Sequence, residues 1–149
     1  MEKKIYFDMD GTIADFYATK DWLERLANEE TYPYEIAKPL LHMSALAKRL
    51  NNLQRRGYAV GVISWTAKDS TEEYHRAVET AKRNWLKKHL ASVKFDEIKI
   101  VRYDTPKHEI GNGILFDDNA EIRKGWDKAN AENLAYDVDN ILEVLGNLV

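Results

Sequence analysis

The chain of 149 residues contains no cysteine, which excludes disulfides and thiolate metal sites. Any metal must therefore be held by oxygen or imidazole. Proline is scarce, at three residues, and the seven glycines are scattered, so no linker, low-complexity segment or internal repeat divides the chain. No apolar run approaches the roughly 18 residues that a membrane span needs. Neither charge dominates: 22 basic residues face 25 acidic ones, for a formal net charge of −3. That balance argues against strong non-specific attraction to nucleic acid, although a local basic face stays open. The lead-in Met1-Glu2-Lys3-Lys4 has no apolar signal-like stretch. The expected setting is cytoplasmic, with no membrane partner. A hydrophobic fraction of 44% suits one globular domain, over residues 1–149.

Apolar runs and helical periodicities alternate along the chain. The spacing predicts a first strand over 4–7, then a helix-like stretch with Phe16, Trp22, Leu23 and Leu26 as its apolar positions. A looser segment follows at 29–34. Pro39 is expected to open a helix carrying Leu40, Met43, Leu46, Ala47, Leu50 and Leu53, with Gly57 as its stop. Residues 58–63 form a second strand, continuous in apolar character as in a parallel sheet covered on both faces. Ser70 and Glu73 have capping-box spacing for a long helix to about residue 90, with a buried stripe of Tyr74, Ala77, Val78, Ala81, Trp85 and Leu86. The basic residues from Lys82 to Lys88 read as a solvated helix face. Further strands are expected at 97–101, 113–116 and 133–136, with helices capped by Asn119 and Asp139. The whole is an α/β chain with a five-stranded parallel sheet and helices on both faces.

Chemistry concentrates at strand ends. Asp8 and Asp10 follow the first strand, and Gly11 permits a sharp turn. Asp-x-Asp-Gly is also ordinary turn composition. Yet carboxylates this close repel, and a divalent cation is the usual way to keep both ionised. Closely spaced acids favour a hard ion such as Mg²⁺. Ser64 ends the second strand and Asp117-Asp118 end the fourth, so these groups share the rim where open α/β sheets bind ligands.

Asp8-Met9-Asp10-Gly11-Thr12, Ser64, Lys107 and Asp117-Asp118 resemble, in order, the four motifs of the haloacid dehalogenase (HAD) superfamily. The resemblance implies a three-layer, Rossmann-like fold and a phosphatase-type hydrolase. Asp8 would be the nucleophile, forming an aspartyl-phosphate, and Asp10 the general acid and base. Mg²⁺ would be held by Asp8, the Asp10 main-chain carbonyl and the diacid, with Asp118 favoured over Asp117 as the direct ligand. Ser64 and Lys107 would bind phosphoryl oxygens, with Lys68 as an alternative to Lys107. His108 reads as a surface or rim residue. An acid at position 10 points to phosphoryl transfer, since the family's carbon–halogen hydrolases lack it.

Residues 15–38 would form a minimal helical cap after the first strand. The opening through Phe16 is also similar to the 5'(3')-deoxyribonucleotidase branch, although position 12 is Thr and the insert is short. Gly11, Thr12, Phe16, Trp65 and Thr66 complete the expected substrate-binding set. Phe16, Tyr17, Trp22 and Trp65 offer stacking surfaces for a base, or simply form the cap's own core. The leading expectation is a nucleotidase or other phosphatase acting on a small phosphate ester, as a monomer or weak dimer. Alternatives are a nucleic-acid 3'-end or protein phosphatase with an open site, and a non-catalytic binding module.

Overall fold

The computed structural model describes residues 3–148. Met1, Glu2 and Val149, included in the sequence reading, lie outside the described residues. In chain order the elements are β1 (Lys3–Phe7), β2 (Ala14–Asp15), α1 (Trp22–Ala27), α2 (Tyr32–Ile36), β3 (Lys38–Pro39) and α3 (Met43–Arg55). Then come β4 (Tyr58–Trp65), α4 (Glu72–His89), β5 (Glu97–Val101), β6 (Ile114–Phe116), α5 (Ala120–Ala129), β7 (Leu134–Tyr136) and α6 (Ile141–Gly146).

β1 is the axis of the sheet. Ile5, Tyr6 and Phe7 are almost fully buried, because strands flank β1 on both edges and helices cover both of its faces. The strand order is β5-β4-β1-β6-β7, and all the pairings are parallel. The chain builds outward from β1 through β4 and β5, then returns to add β6 and β7 on the other edge. Such a reversal opens a crevice at the carboxyl ends of the two central neighbours. One face carries the larger core, where Ile5, Phe7, Val60 and Val62 pack with Leu46 and Leu50 of α3, Trp85 and Leu86 of α4, and Ile141 and Leu145 of α6. The other face is thinner. There Tyr6, Ile63 and Leu115 lie under Trp126 of α5, whose indole donates to the Gly113 carbonyl at 2.9 Å.

The insert after β1 is helical, and its ends are tied together. β2 and β3 pair antiparallel, with Ala14 opposite Pro39 and Asp15 opposite Lys38. Between them lie a 3-10 turn at Phe16–Ala18, α1 and α2. Phe16 and Tyr34 pack with Tyr74, Val78 and Ala81 of α4, so the insert is seated on the body of the protein.

Several local expectations change. Pro39 lies in β3 rather than opening a helix: Lys38, preceding a proline, is biased to extended backbone, and β2 offers that segment a partner. α3 instead starts after His42, whose Nδ1 accepts from Ala45 N at 3.1 Å. The cap of α4 is Thr71, whose hydroxyl accepts from Tyr74 N at 3.1 Å, while Ser70 donates to the Ala67 carbonyl. Asn140, not Asp139, precedes α6. Within α4, Ala77 is exposed and Lys82 is buried. The inward row is Tyr74, Val78, Lys82 and Leu86, at successive i+4 spacing.

Candidate active site

The register places the acids together. Phe7 pairs with Val62 on one side and Phe116 on the other, so Asp8 and Asp117 leave adjacent strands at the same level. Asp8 N donates to Phe116 O at 2.9 Å and Asp117 N to Tyr136 O at 3.1 Å, carrying the ladder to the sheet's edge. The chain then turns at Gly11, whose φ is +79°. A Cβ at Gly11 would lie 2.3 Å from Asp118 Oδ2, so only glycine admits the diacid this close.

Carboxylate oxygens of Asp8, Asp117 and Asp118 all lie within 4.8 Å of one another. Lys107 reaches under them from the loop before β6. Its Nζ donates to Asp8 Oδ1 at 3.0 Å and to Asp117 Oδ2 at 2.7 Å, and the residue is 3% exposed. Thr12 Oγ1 lies 3.1 Å from Asp8 Oδ2 and 3.5 Å from Asp118 Oδ1. Asp117 spends its second oxygen on Asn119 N, at 2.9 Å. Asp118 is exposed at the surface of the cluster.

Asp10 faces a second lysine, which the sequence reading assigned to solvent. Lys82, 1% exposed, donates to Asp10 Oδ2 at 2.9 Å, Ser64 Oγ at 2.7 Å and Trp65 O at 2.7 Å. Its place in the i+4 row between Val78 and Leu86 is the signal that marks it as inward. Lys87 and Lys88 are exposed, as expected.

Burial and mutual repulsion shift these groups. Burial first and the Asp8 charge second push Asp117 up to about 6 and Asp118 up to about 7. Burial also raises Asp10, against the opposing pull of Lys82. Burial alone would lower Lys107, but Asp8 and Asp117 outweigh it and hold its ammonium above the ordinary range.

Four carboxylates thus face two ammonium groups, leaving a formal −2 when all are ionised, the charge a divalent cation would balance. The donors are hard oxygens, and Asp118 has an exposed carboxylate directed at the cluster. The residues fit a metal such as Mg²⁺.

Above the acids is a cleft of about 370 Å³, within the range of small-ligand sites. Phe16, Trp65, Thr66 and Lys68 line it, as do Asp8, Asp10, Lys107, Asp117 and Asp118. Ser64, Gly11 and Thr12 do not reach its wall. Ser64 and Thr12 are buried behind it, holding Lys82 and Asp8 respectively. Phe16 is 2% exposed and stacks on Tyr34, with ring centroids 4.7 Å apart, so the cap aromatics form their own core. Tyr17 and Tyr103 are each about half exposed, Tyr17 in perpendicular contacts with the rings of Phe16 and Trp22. Trp65 is fixed by its indole donating to Thr105 O at 2.9 Å and by an edge contact with Tyr103. Thr66 Oγ1 shares a 2.7 Å hydrogen bond with His75 Nδ1. His108 is exposed and sits beside Gly125, away from the acids. No helix among the described residues is long and apolar enough to cross a membrane.

No protein-family model and no curated protein sequence matches the chain. Solved structures share its fold. A chain of the Pnkp1/Rnl/Hen1 complex superposes with a TM-score of 0.58 at 17% identity, covering 93% of this chain. This chain spans 45%, about half, of that one. D,D-heptose 1,7-bisphosphate phosphatase from Burkholderia thailandensis gives 0.59 at 12% identity, covering 98% of this chain and 97% of its own. The same enzyme from B. bronchiseptica, complexed with magnesium and phosphate, gives 0.57 at 10% identity, covering 96% and 97%. Asp8, Asp117 and Asp118 form an acidic triad spaced to hold a metal ion. The chain has a Rossmann-like, HAD-like fold with a helical insert, the fold of these two solved structures.

Proposed function

We propose that this domain is a Mg²⁺-dependent phosphohydrolase acting on a small phosphate monoester, through an aspartyl-phosphate on Asp8. The observation that carries the reading is the convergence of Asp8, Asp117 and Asp118, with Asp10 two residues from Asp8, at the floor of one cleft.

Asp8, Asp118 and the Asp10 main-chain carbonyl would hold the metal, while Asp117 braces Lys107. When bound, Mg²⁺ supplies positive charge that offsets the phosphoryl oxygens. Asp8 attacks phosphorus: a carboxylate O–P bond forms, the ester P–O bond breaks, and the electron pair leaves on the ester oxygen. Asp10 gives that oxygen its proton. A water then attacks the acyl phosphate, Asp10 takes the water's proton, and inorganic phosphate leaves Asp8. Lys107 neutralises charge beside Asp8 throughout. Ser64 lies behind the cleft wall, and the Gly11 and Thr12 amides donate to Ala14 O and Met9 O, so these three support the turn and Lys82 rather than the phosphoryl oxygens.

The substrate we favour is a nucleotide. The cleft's size and the aromatic rings of Tyr17, Trp65 and Tyr103 along its wall support it, since stacking on a base contributes about 1–3 kcal/mol per contact. Phosphate release from p-nitrophenyl phosphate and a panel of nucleoside monophosphates, with Mg²⁺ or with EDTA, tests this. Wild type should turn over only with Mg²⁺ and Asp8→Asn not at all. Equal rates for the two proteins reject the nucleophile, and turnover of sugar phosphates alone rejects the nucleotide.

A further inference from the structure

Among the described residues two lysines are buried, Lys107 and Lys82, and Lys82 has as yet no place in this chemistry. A lysine ammonium carries three protons, and here all three have acceptors: Asp10 Oδ2, Ser64 Oγ and Trp65 O, at 2.9, 2.7 and 2.7 Å. None is left for a substrate oxygen. The residue does not line the cleft, and the ring of Tyr34 closes over it with its centroid 5.1 Å from Nζ. Lys82 therefore acts through another group.

Two of its acceptors belong to β4, which pairs with β1 along all five of its residues. They anchor the ammonium. The third bond fixes one oxygen of Asp10 and turns the other toward the cleft. We propose that Lys82 is a positioning residue, which aims the Asp10 carboxyl at the leaving-group oxygen. The assignment rests on the phosphohydrolase reading above. It gives α4, which contributes no residue to the cleft wall, a part in the reaction, and it links the cap to the acid through Tyr34.

The test exploits the leaving group. Proton donation matters greatly to an alkyl phosphate and little to p-nitrophenyl phosphate, whose phenolate leaves unaided. Lys82→Met keeps the chain length and removes the charge. Misaimed by an ångström, a catalytic group loses about a hundred-fold. In single-turnover release of the leaving group, the variant's phosphorylation step should slow by about that much with glycerol phosphate and little with p-nitrophenyl phosphate, while dephosphorylation, in which Asp10 also acts, slows alike from both. Adding Lys82→Met to Asp10→Asn should cost almost nothing more on either substrate. An equal slowing of the phosphorylation step on both substrates, or a double variant whose losses multiply, overturns the assignment. If Lys82→Met alone fails to fold with Asp10 stranded, Asp10→Asn/Lys82→Met, which removes both charges of the pair, is compared with Asp10→Asn by the same criterion. A wild type that releases no phosphate with Mg²⁺ overturns the functional reading and this assignment with it. An active, Asp8-dependent wild type confines any failure to Lys82.

Discussion

Replacing Lys107 by Met should destabilise the metal-free protein severely. The ammonium lies 3.0 Å from Asp8 and 2.7 Å from Asp117, and all three side chains are buried. Removing one partner of a buried pair leaves an uncompensated charge and costs about 3–5 kcal/mol. In a domain of this size each kcal/mol is worth about 2–4 °C, so Tm should fall by roughly 6–20 °C. The loss should depend on pH. Asp117 is already up at about 6 in the presence of Lys107, and without the lysine it rises further. The folded state then keeps a proton that the unfolded chain releases, so acid favours folding and the deficit narrows between about pH 8 and pH 5. Lys107→Met/Asp117→Asn, which leaves one fewer stranded charge, should recover much of the loss. Thermal melts in EDTA at both pH values measure all of this. A drop under about 2 °C for Lys107→Met at the higher pH, less than one kcal/mol, would refute the electrostatic account of the site.

Other consequences follow from single contacts. Gly11→Ala places a methyl against Asp118 Oδ2, 2.3 Å away, at a φ of +79°; Mg²⁺ affinity read by calorimetry should fall at least about ten-fold, for a backbone cost of only about 1–2 kcal/mol. Asp118 and Asp117, held up at about 7 and about 6 in the metal-free protein, must lose protons to accept a cation. Mg²⁺ affinity should therefore weaken as pH falls from about 8 to 6, and binding heats should vary with the buffer's ionisation enthalpy; heats independent of buffer would contradict it. Thr71→Ala should cost about 1 kcal/mol in urea melts, as expected for a lost helix cap. Ser70→Ala should cost less, and the reverse ranking would place the cap wrongly.

The order of strands and helices is legible without coordinates because each element declares its own period. Ile5-Tyr6-Phe7 and the run from Val60 to Ile63 are apolar without interruption, and that pattern is natural only for a strand covered on both sides. The placement of Asp8, Asp10 and Asp117-Asp118 at one rim follows, since parallel strands end on one side. The limits of the insert are legible too: residues 15 and 38 are the pair facing each other across β2 and β3. Helix starts are harder to read, because neighbouring Ser, Thr, Asn and Asp residues can all cap. The choice of Thr71 over Ser70 was made by Ser70 finding the Ala67 carbonyl.

Lys82 shows where such reading stops. Among Lys82, Arg83, Lys87 and Lys88 a charge count finds a solvated face, and only its i+4 alignment with Tyr74, Val78 and Leu86 hints otherwise. Burying an ammonium is unfavourable unless acceptors surround it, and its three acceptors lie 17, 18 and 72 residues away in the chain. From its own order of residues the chain determines a parallel α/β sheet with an acidic rim, because periodicity and strand ends are local properties. Which lysine serves Asp8 and which serves Asp10, and whether the cap aromatics face each other or the cleft, only the tertiary structure decides. Those outcomes depend on the charge and space that distant segments bring to one point.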